Sequence, residues 1–273
     1  MSHHPILASA PNGAYKQKKD HSAVPLSLDE IVTSAVDAVK AGVSLLHLHI
    51  RDEFGQHSLD ADIYRRTIDA IEDQTGDQLI IQMTSEAANR YSPSEQIQTI
   101  KQVDAECVSI ALRELIQDAS HTASAQGLFH WCAERACRAQ FILYSETDLL
   151  NYFEYLNKDI IPASPHSVLF VLGRYAQNQQ SSPEDLLPFL KHQRRLKVPW
   201  MVCAFGASEP LCMLDAIKKG GHMRVGFENN LLRADQSVAK NNFEQLDEMH
   251  QVVKGINMRL AAVSEARTML AIR

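Results

Sequence analysis

The chain is poor in cysteine: it has five in 273 residues, and no two are spaced as CxxC. Zinc-finger and disulfide scaffolds rest on closely spaced cysteines in even number, so neither accounts for this sequence. Cys107, Cys132, Cys137, Cys203 and Cys212 fall mostly in apolar segments and read as reduced core residues. Long hydrophobic runs are also missing, and none approaches the roughly 20 residues that a membrane helix needs. A basic surplus is missing too. Lys+Arg 27 against Asp+Glu 33 gives a net charge of −6 and a pI near 6.0, which argues against a general nucleic-acid binder. A phosphate-bearing small molecule stays open, because a few local cations suffice. The opening MSHHPILASAPNG has no basic region followed by a long apolar one, so no secretory signal is expected and a cytoplasmic setting is. His3-His4 reads equally as a tag remnant or as native sequence.

What is present is a rhythm. Hydrophobic residues make up 45% and charged residues 22%, ample for a large core. Short β-rich runs alternate with capped helical patterns. Strands are predicted at 5–10, 44–50, 79–84, 107–112, 141–144, 168–172, 200–205 and 223–227. Helices are predicted after Ser27, with its capping-box Glu30, after Ser58, after Ser92-Pro93, over 122–138, after Thr147, after Ser182-Pro183 and over 209–219. Ser237 is expected to cap a long helix to about Lys254, and Ser264 a last short one. Eight strand–helix units without a Ser/Gly-rich linker predict one (β/α)₈ TIM barrel over 1–273, with C-terminal helices from about 237. A doubly wound open sheet is the competing arrangement.

Barrel enzymes carry their chemistry at the C-terminal ends of the strands. In LLHLHIRD, residues 45–52, alternation puts His47, His49 and Arg51 on one face and Leu46, Leu48 and Ile50 on the other. In GHMRVGFENN, Arg224, Gly226 and Glu228 share one parity on strand eight. Strands two and eight both flank strand one in a closed barrel, so Glu228 could meet the two histidines there. Two imidazoles and a carboxylate form a ligand set for Zn²⁺, or for Fe²⁺, Mn²⁺ or Co²⁺, with positions left for a substrate carbonyl. HxH also opens amidohydrolase-type barrels, but the histidines and aspartate those need later in the chain are not here.

HLHIRD, PNGAYKQKKDHSAVPLS, GGHMRVGFENNL and the later VAKNNFEQLDEM together resemble the β-keto acid cleavage enzymes, in the same order along the whole chain. The resemblance implies a Zn²⁺-dependent barrel, a homodimer or homotetramer, that reacts a β-keto acid with acetyl-CoA to give acetoacetate and a new acyl-CoA. It implies His47, His49 and Glu228 as metal ligands, Arg224 as the group that holds the substrate carboxylate, and Thr84 and Ser85 as pocket hydroxyls.

The departures from the family pattern are informative. The family's GLEDN carries a basic aspartate where this chain has Asn229 in GFENN, and an amide cannot take that proton. The base is then expected from Glu86, Glu114 or a metal-bound hydroxide. Ile142 stands where the family has a pocket glutamate, which fits an uncharged or hydrophobic substrate tail. A related metal–enolate lyase or hydrolase without CoA, and a metal-binding barrel without activity, are the other readings. Arg113, Arg174 and Asn12 are strand-end candidates for holding the cosubstrate. Lys16, Lys18 and Lys19 could meet CoA phosphates or form a solvated basic loop. Asp52 is expected to orient its loop or a ligand. His57, His121, His130, His192 and His250 read as packing or surface residues, and His222, at the foot of strand eight, as structural.

Overall fold

The computed structural model describes residues 4–273; His3, with Met1 and Ser2, lies outside them. Eight short parallel strands close into a barrel: β1 (Leu7–Ser9), β2 (Leu45–Leu48), β3 (Ile80–Thr84), β4 (Cys107–Ala111), β5 (Arg138–Leu143), β6 (Ser167–Leu172), β7 (Trp200–Ala204) and β8 (His222–Val225). Each pairs with its sequence neighbour, and β1 closes the ring by pairing with β8 as Ala8 opposite Arg224 and with β2 as Ala8 opposite Leu45. The open-sheet alternative is thereby excluded.

Strand parity sorts the core. Leu46, Leu48 and Ile50 join the shell between barrel and helices, whereas Leu45, Ile80, Ala111, Ile142 and Leu169 fill the interior. At the foot, His222 Nδ1 accepts a hydrogen bond of 3.1 Å from Ile6 N, the structural role expected of it. No helix among the described residues is long and apolar enough to cross a membrane.

Local capping chemistry places the first helices. Ser27 and Glu30 form a reciprocal capping box ahead of Leu28–Lys40, and Ser92 and Glu95 do the same ahead of Pro93–Val103. Three expectations need correction. The stretch after Ser182-Pro183 is only a 3₁₀ turn, Pro183–Leu186, followed by one α-turn, Leu187–Leu190. Ser237 caps nothing, because its hydroxyl bonds to Asp235 in a turn; the long helix is Asn242–Gly255, and the Asn241 side chain caps it by accepting from Glu244 N. Ser264 lies inside the last helix, Val263–Leu270, which follows Ala262.

β8 also stops earlier than alternation suggests. It ends at Val225, and Gly226 turns the chain with φ +149°. A Cβ at Gly226 would lie 2.3 Å from Ala10 O, so only glycine lets this turn sit against the end of β1. Gly226→Ala is expected to cost about 2–5 kcal/mol, read as a lower denaturation midpoint.

Candidate active site and metal centre

Three side chains converge at the C-terminal mouth of the barrel. His47 and His49 point inward from β2 and the residue after it, and their Nε2 atoms lie 3.1 Å apart. Glu228 Oε2 lies 3.6 Å from each of those nitrogens. Glu228 reaches this point through the turn after Gly226, held by its own N–H bonding to Ala10 O at 3.1 Å. Glu228 does come together with the two histidines, but a turn, not a continued strand, delivers it. Gly13, at φ +58°, clears the way: a Cβ there would sit 2.5 Å from Glu228 Cγ.

The three ligand atoms lie within 4.8 Å of one another. Bonds of about 2.0–2.1 Å around a tetrahedral Zn²⁺ put ligand atoms about 3.3 Å apart, close to the separations here. Glu228 Oε2 is buried without a hydrogen-bond partner. Burial holds both histidines well below their ordinary pKa, so they are neutral, the form that coordinates. His47 is also oriented. Its Nδ1 donates to Gln82 Oε1 at 2.9 Å, which leaves the Nε2 lone pair facing Glu228. Gln82 is held in turn by Gln140 Oε1, 3.3 Å from its Nε2. The donor set thus fits a divalent transition metal.

Arg224, buried on β8, donates to Glu228 Oε1 at 2.9 Å and to Cys203 Sγ at 3.3 Å. Its Nε and Nη1 are buried without partners, two donors ready for an anionic group in the cavity. Glu86, two residues past the end of β3, has its Oε2 at 3.8 Å from His49 Nε2. Burial, and then the charges of Glu228 and Glu114, push its carboxyl up to about 8. Thr84 Oγ1 accepts from the Glu86 N–H at 3.1 Å, and His57 Nε2 donates to the Glu86 carbonyl at 2.8 Å.

His47, Thr84, Glu86, Arg224 and Glu228 line a cavity of about 290 Å³ together with Asn12, Arg174 and an apolar wall. Asn12 Nδ2 donates to Pro25 O and His49 O, which ties the loop after β1 to the metal strand. Arg51 grips the same loop through the carbonyls of Asn12, Gly13 and Lys16. Arg174 lies over the rings of Tyr15 and Phe205 and has no acidic partner within 4.0 Å among the described residues. Lys16 and Lys19 complete a cationic rim, whereas Lys18 is paired with Glu30 at 2.6 Å.

Other expected site residues do not reach the cavity. Ser85 bonds to Ser109 O at 2.9 Å. Arg113 is paired with Asp148 at 2.6 Å and stacked on Tyr144. The Asn229 side chain is buried without a partner, and no part of Asn229 lines the cavity. Glu114 is engaged too, accepting from Ala87 N at 2.8 Å and Gln96 Nε2 at 3.1 Å.

Sequence reasoning missed Gln82 and the part played by His57. Gln82 shares the inward parity of β3 with Thr84, and its register opposite His47 appears only in the paired sheet. His57 is buried in a two-residue hairpin, Ile50–Arg51 with His57–Ser58, its ring 5.2 Å from that of His49. Asp52 organises that hairpin, as expected, by accepting from Phe54 N and Gln56 N.

Known proteins were compared with this chain. A family model for beta-keto acid cleavage enzymes matches residues 5–272. The 3-keto-5-aminohexanoate cleavage enzyme of Fusobacterium nucleatum is 27% identical over 98% of this chain and 98% of its own length. The 3,5-dioxohexanoate:acetyl-CoA acetone transferase of Paraburkholderia graminis is 22% identical over 98% of this chain and 96% of its own. Among solved structures, apo ObcA superposes with a TM-score of 0.74 at 13% identity, over 92% of this chain. This chain covers 66% of that ObcA chain, and the likeness concerns the barrel alone. With the family match running through all eight strands, the chain belongs to the beta-keto acid cleavage enzyme family.

Proposed function

We propose that this chain condenses a β-keto acid with acetyl-CoA, giving acetoacetate and a new acyl-CoA. His47, His49 and Glu228 would hold the metal, Zn²⁺ by preference for this donor set. The observation that supports this most is the meeting of those three ligand atoms beside the unpartnered donors of Arg224. When bound, the metal supplies Lewis-acid polarisation of the substrate's keto oxygen.

The protein's own groups account for the rest. Arg224 binds the substrate carboxylate through Nε and Nη1 and leaves Nη2 on Glu228. Glu86 takes the proton from the carbon between keto and carboxylate, since of the acidic side chains that line the cavity besides Glu228 it lies 3.8 Å from His49, whereas Asp20 is exposed. The resulting carbanion attacks the thioester carbonyl, CoA thiolate leaves and adds to the substrate's keto carbon, and the old carbon–carbon bond breaks, giving the new acyl-CoA and an acetoacetate enolate that takes its proton back from Glu86. Thr84 anchors the backbone of Glu86. Arg174, Lys16 and Lys19 at the mouth offer positive charge to the CoA phosphates. Curated relatives named as acetyl-CoA transferases support the cosubstrate.

The test is purified protein, metal content by mass spectrometry, and acetyl-CoA with a panel of β-keto acids, with acetoacetate as the product followed. Acetoacetate formed at the same rate by a metal-stripped sample would overturn the reading. Gln82→Leu is expected to weaken metal affinity about 10–100-fold in a competition titration, because His47 loses the partner that sets its tautomer. Assembly into a homodimer or homotetramer is part of the proposal, and light scattering checks it.

A further inference from the structure

The inside of the barrel mouth is divided. The metal-facing half, from β1, β2, β3 and β8, presents Asn12, His47, Thr84 and Arg224. The half from β4 to β7 presents Ala111, Ile142, Tyr144, Val171 and Phe205 to the same cavity. The sheet register makes this second set contiguous. Ala111 sits opposite Ile142 across β4 and β5, and Val171 sits opposite Cys203 across β6 and β7. Ile142 and Val171 are almost fully buried, so the wall is firm and packed.

We propose that this wall is the subsite for the tail of the keto acid, and that it selects a short, uncharged aliphatic tail. The inference rests on the reading given under the proposed function. With the carboxylate on Arg224 and the keto group toward His47 and His49, the remaining chain of the substrate has the β4–β7 half to enter. An ammonium group there would lose its water against Ala111, Ile142, Val171 and Phe205, none of which offers it a carboxylate. Glu114, its Oε2 accepting from Ala87 N and Gln96, does not line the cavity, and Glu86 lies on the metal side, 3.8 Å from His49. A carboxylate-ended tail would find cations only at the outer rim, where Arg174 already lies over two aromatic rings and, with Lys16 and Lys19, faces the CoA phosphates. An alkyl tail meets Ala111, Ile142, Val171 and Phe205, with Tyr144 beside them.

The experiment compares 3-oxohexanoate with two acids of the same main-chain length. One is 3-oxo-5-aminohexanoate, with an amine on the tail, and the other is 3-oxoadipate, with a terminal carboxylate. Each is turned over with acetyl-CoA by the metal-loaded enzyme, and each is titrated calorimetrically without acetyl-CoA. 3-Oxohexanoate is expected to lead both charged acids by about 10–100-fold in kcat/KM, and to bind more tightly. Ile142→Glu is expected to invert the order toward the amine, whereas Ile142→Leu keeps it. Tighter binding of either charged acid by the parent enzyme overturns the tail assignment, whatever the turnover. The expected order in calorimetry with no acetoacetate from any acid upholds the tail subsite and overturns the transferase reading alone.

Discussion

His47→Ala is expected to leave the purified protein without its metal and to lower acetoacetate formation by more than about 100-fold. Loss of an outer partner of a metal ligand already costs about 10–100-fold, and His47 supplies one of the three ligand atoms that meet at the proposed centre among the described residues. The variant should also lose a stabilisation that the parent shows. Added Zn²⁺ at about 1,000 times its Kd would stabilise the parent by about 4 kcal/mol, because metal binds the folded site and not the open chain. The checks are metal content and the melting temperature with and without Zn²⁺, run on parent and variant together. A variant that keeps its metal and its thermal shift would remove His47 from the centre. Because His47 is buried and fully packed, circular dichroism of the metal-free pair separates loss of metal from loss of fold.

Glu86→Gln is expected to lower kcat by about 10²–10⁴-fold with little change in substrate binding, the usual scale for losing a positioned base. The pH dependence follows from its environment. A base works only when deprotonated, and burial holds this carboxyl up, to about 8 without a metal. Activity is therefore expected to fall as pH drops through a value above the ordinary carboxylate range, with a bound cation moving that limb downward. The same shift predicts a stability effect in metal-free protein. The folded state keeps a proton on Glu86 between the unfolded carboxyl value and about 8, while the unfolded chain has lost it. Stability must then decline as pH rises through that window. Glu86→Gln should flatten the decline. An acid limb unchanged in the residual activity of the variant would assign the base elsewhere.

Asn229 gives a contrasting expectation. Asn229→Asp places a carboxylate in a buried position that does not line the cavity, so it should lower stability without replacing Glu86. A rise in turnover in that variant would show that the position reaches the substrate after all. The family's aspartate and this chain's asparagine occupy the same place in the motif, yet the side chain that fronts the cavity here comes from the end of β3.

The sequence by itself determined the barrel. Strand alternation and helix capping are local effects, set by neighbours within a few residues, and Ser27 with Glu30 or Ser92 with Glu95 carry them openly. Alternation also aimed His47 and His49 into the barrel, and the end-of-strand position marked them as chemical. Local signals failed where side chains compete: Ser237 looks like a helix cap, but Asp235 takes its hydroxyl first.

Only the tertiary structure decided which acidic groups are available. Glu86 and Glu114 look alike in sequence, but the second has its Oε2 on Ala87 N and Gln96 and stays out of the cavity, while the first lines it and faces His49. Gln82, His57 and the turn at Gly226 belong to the same class. Each acts on a neighbouring strand or loop that lies tens or hundreds of positions away in sequence, and such distances leave no periodic trace in the chain. The barrel's closure through β1 is what brings Glu228 to within 3.6 Å of two histidines nearly two hundred residues earlier.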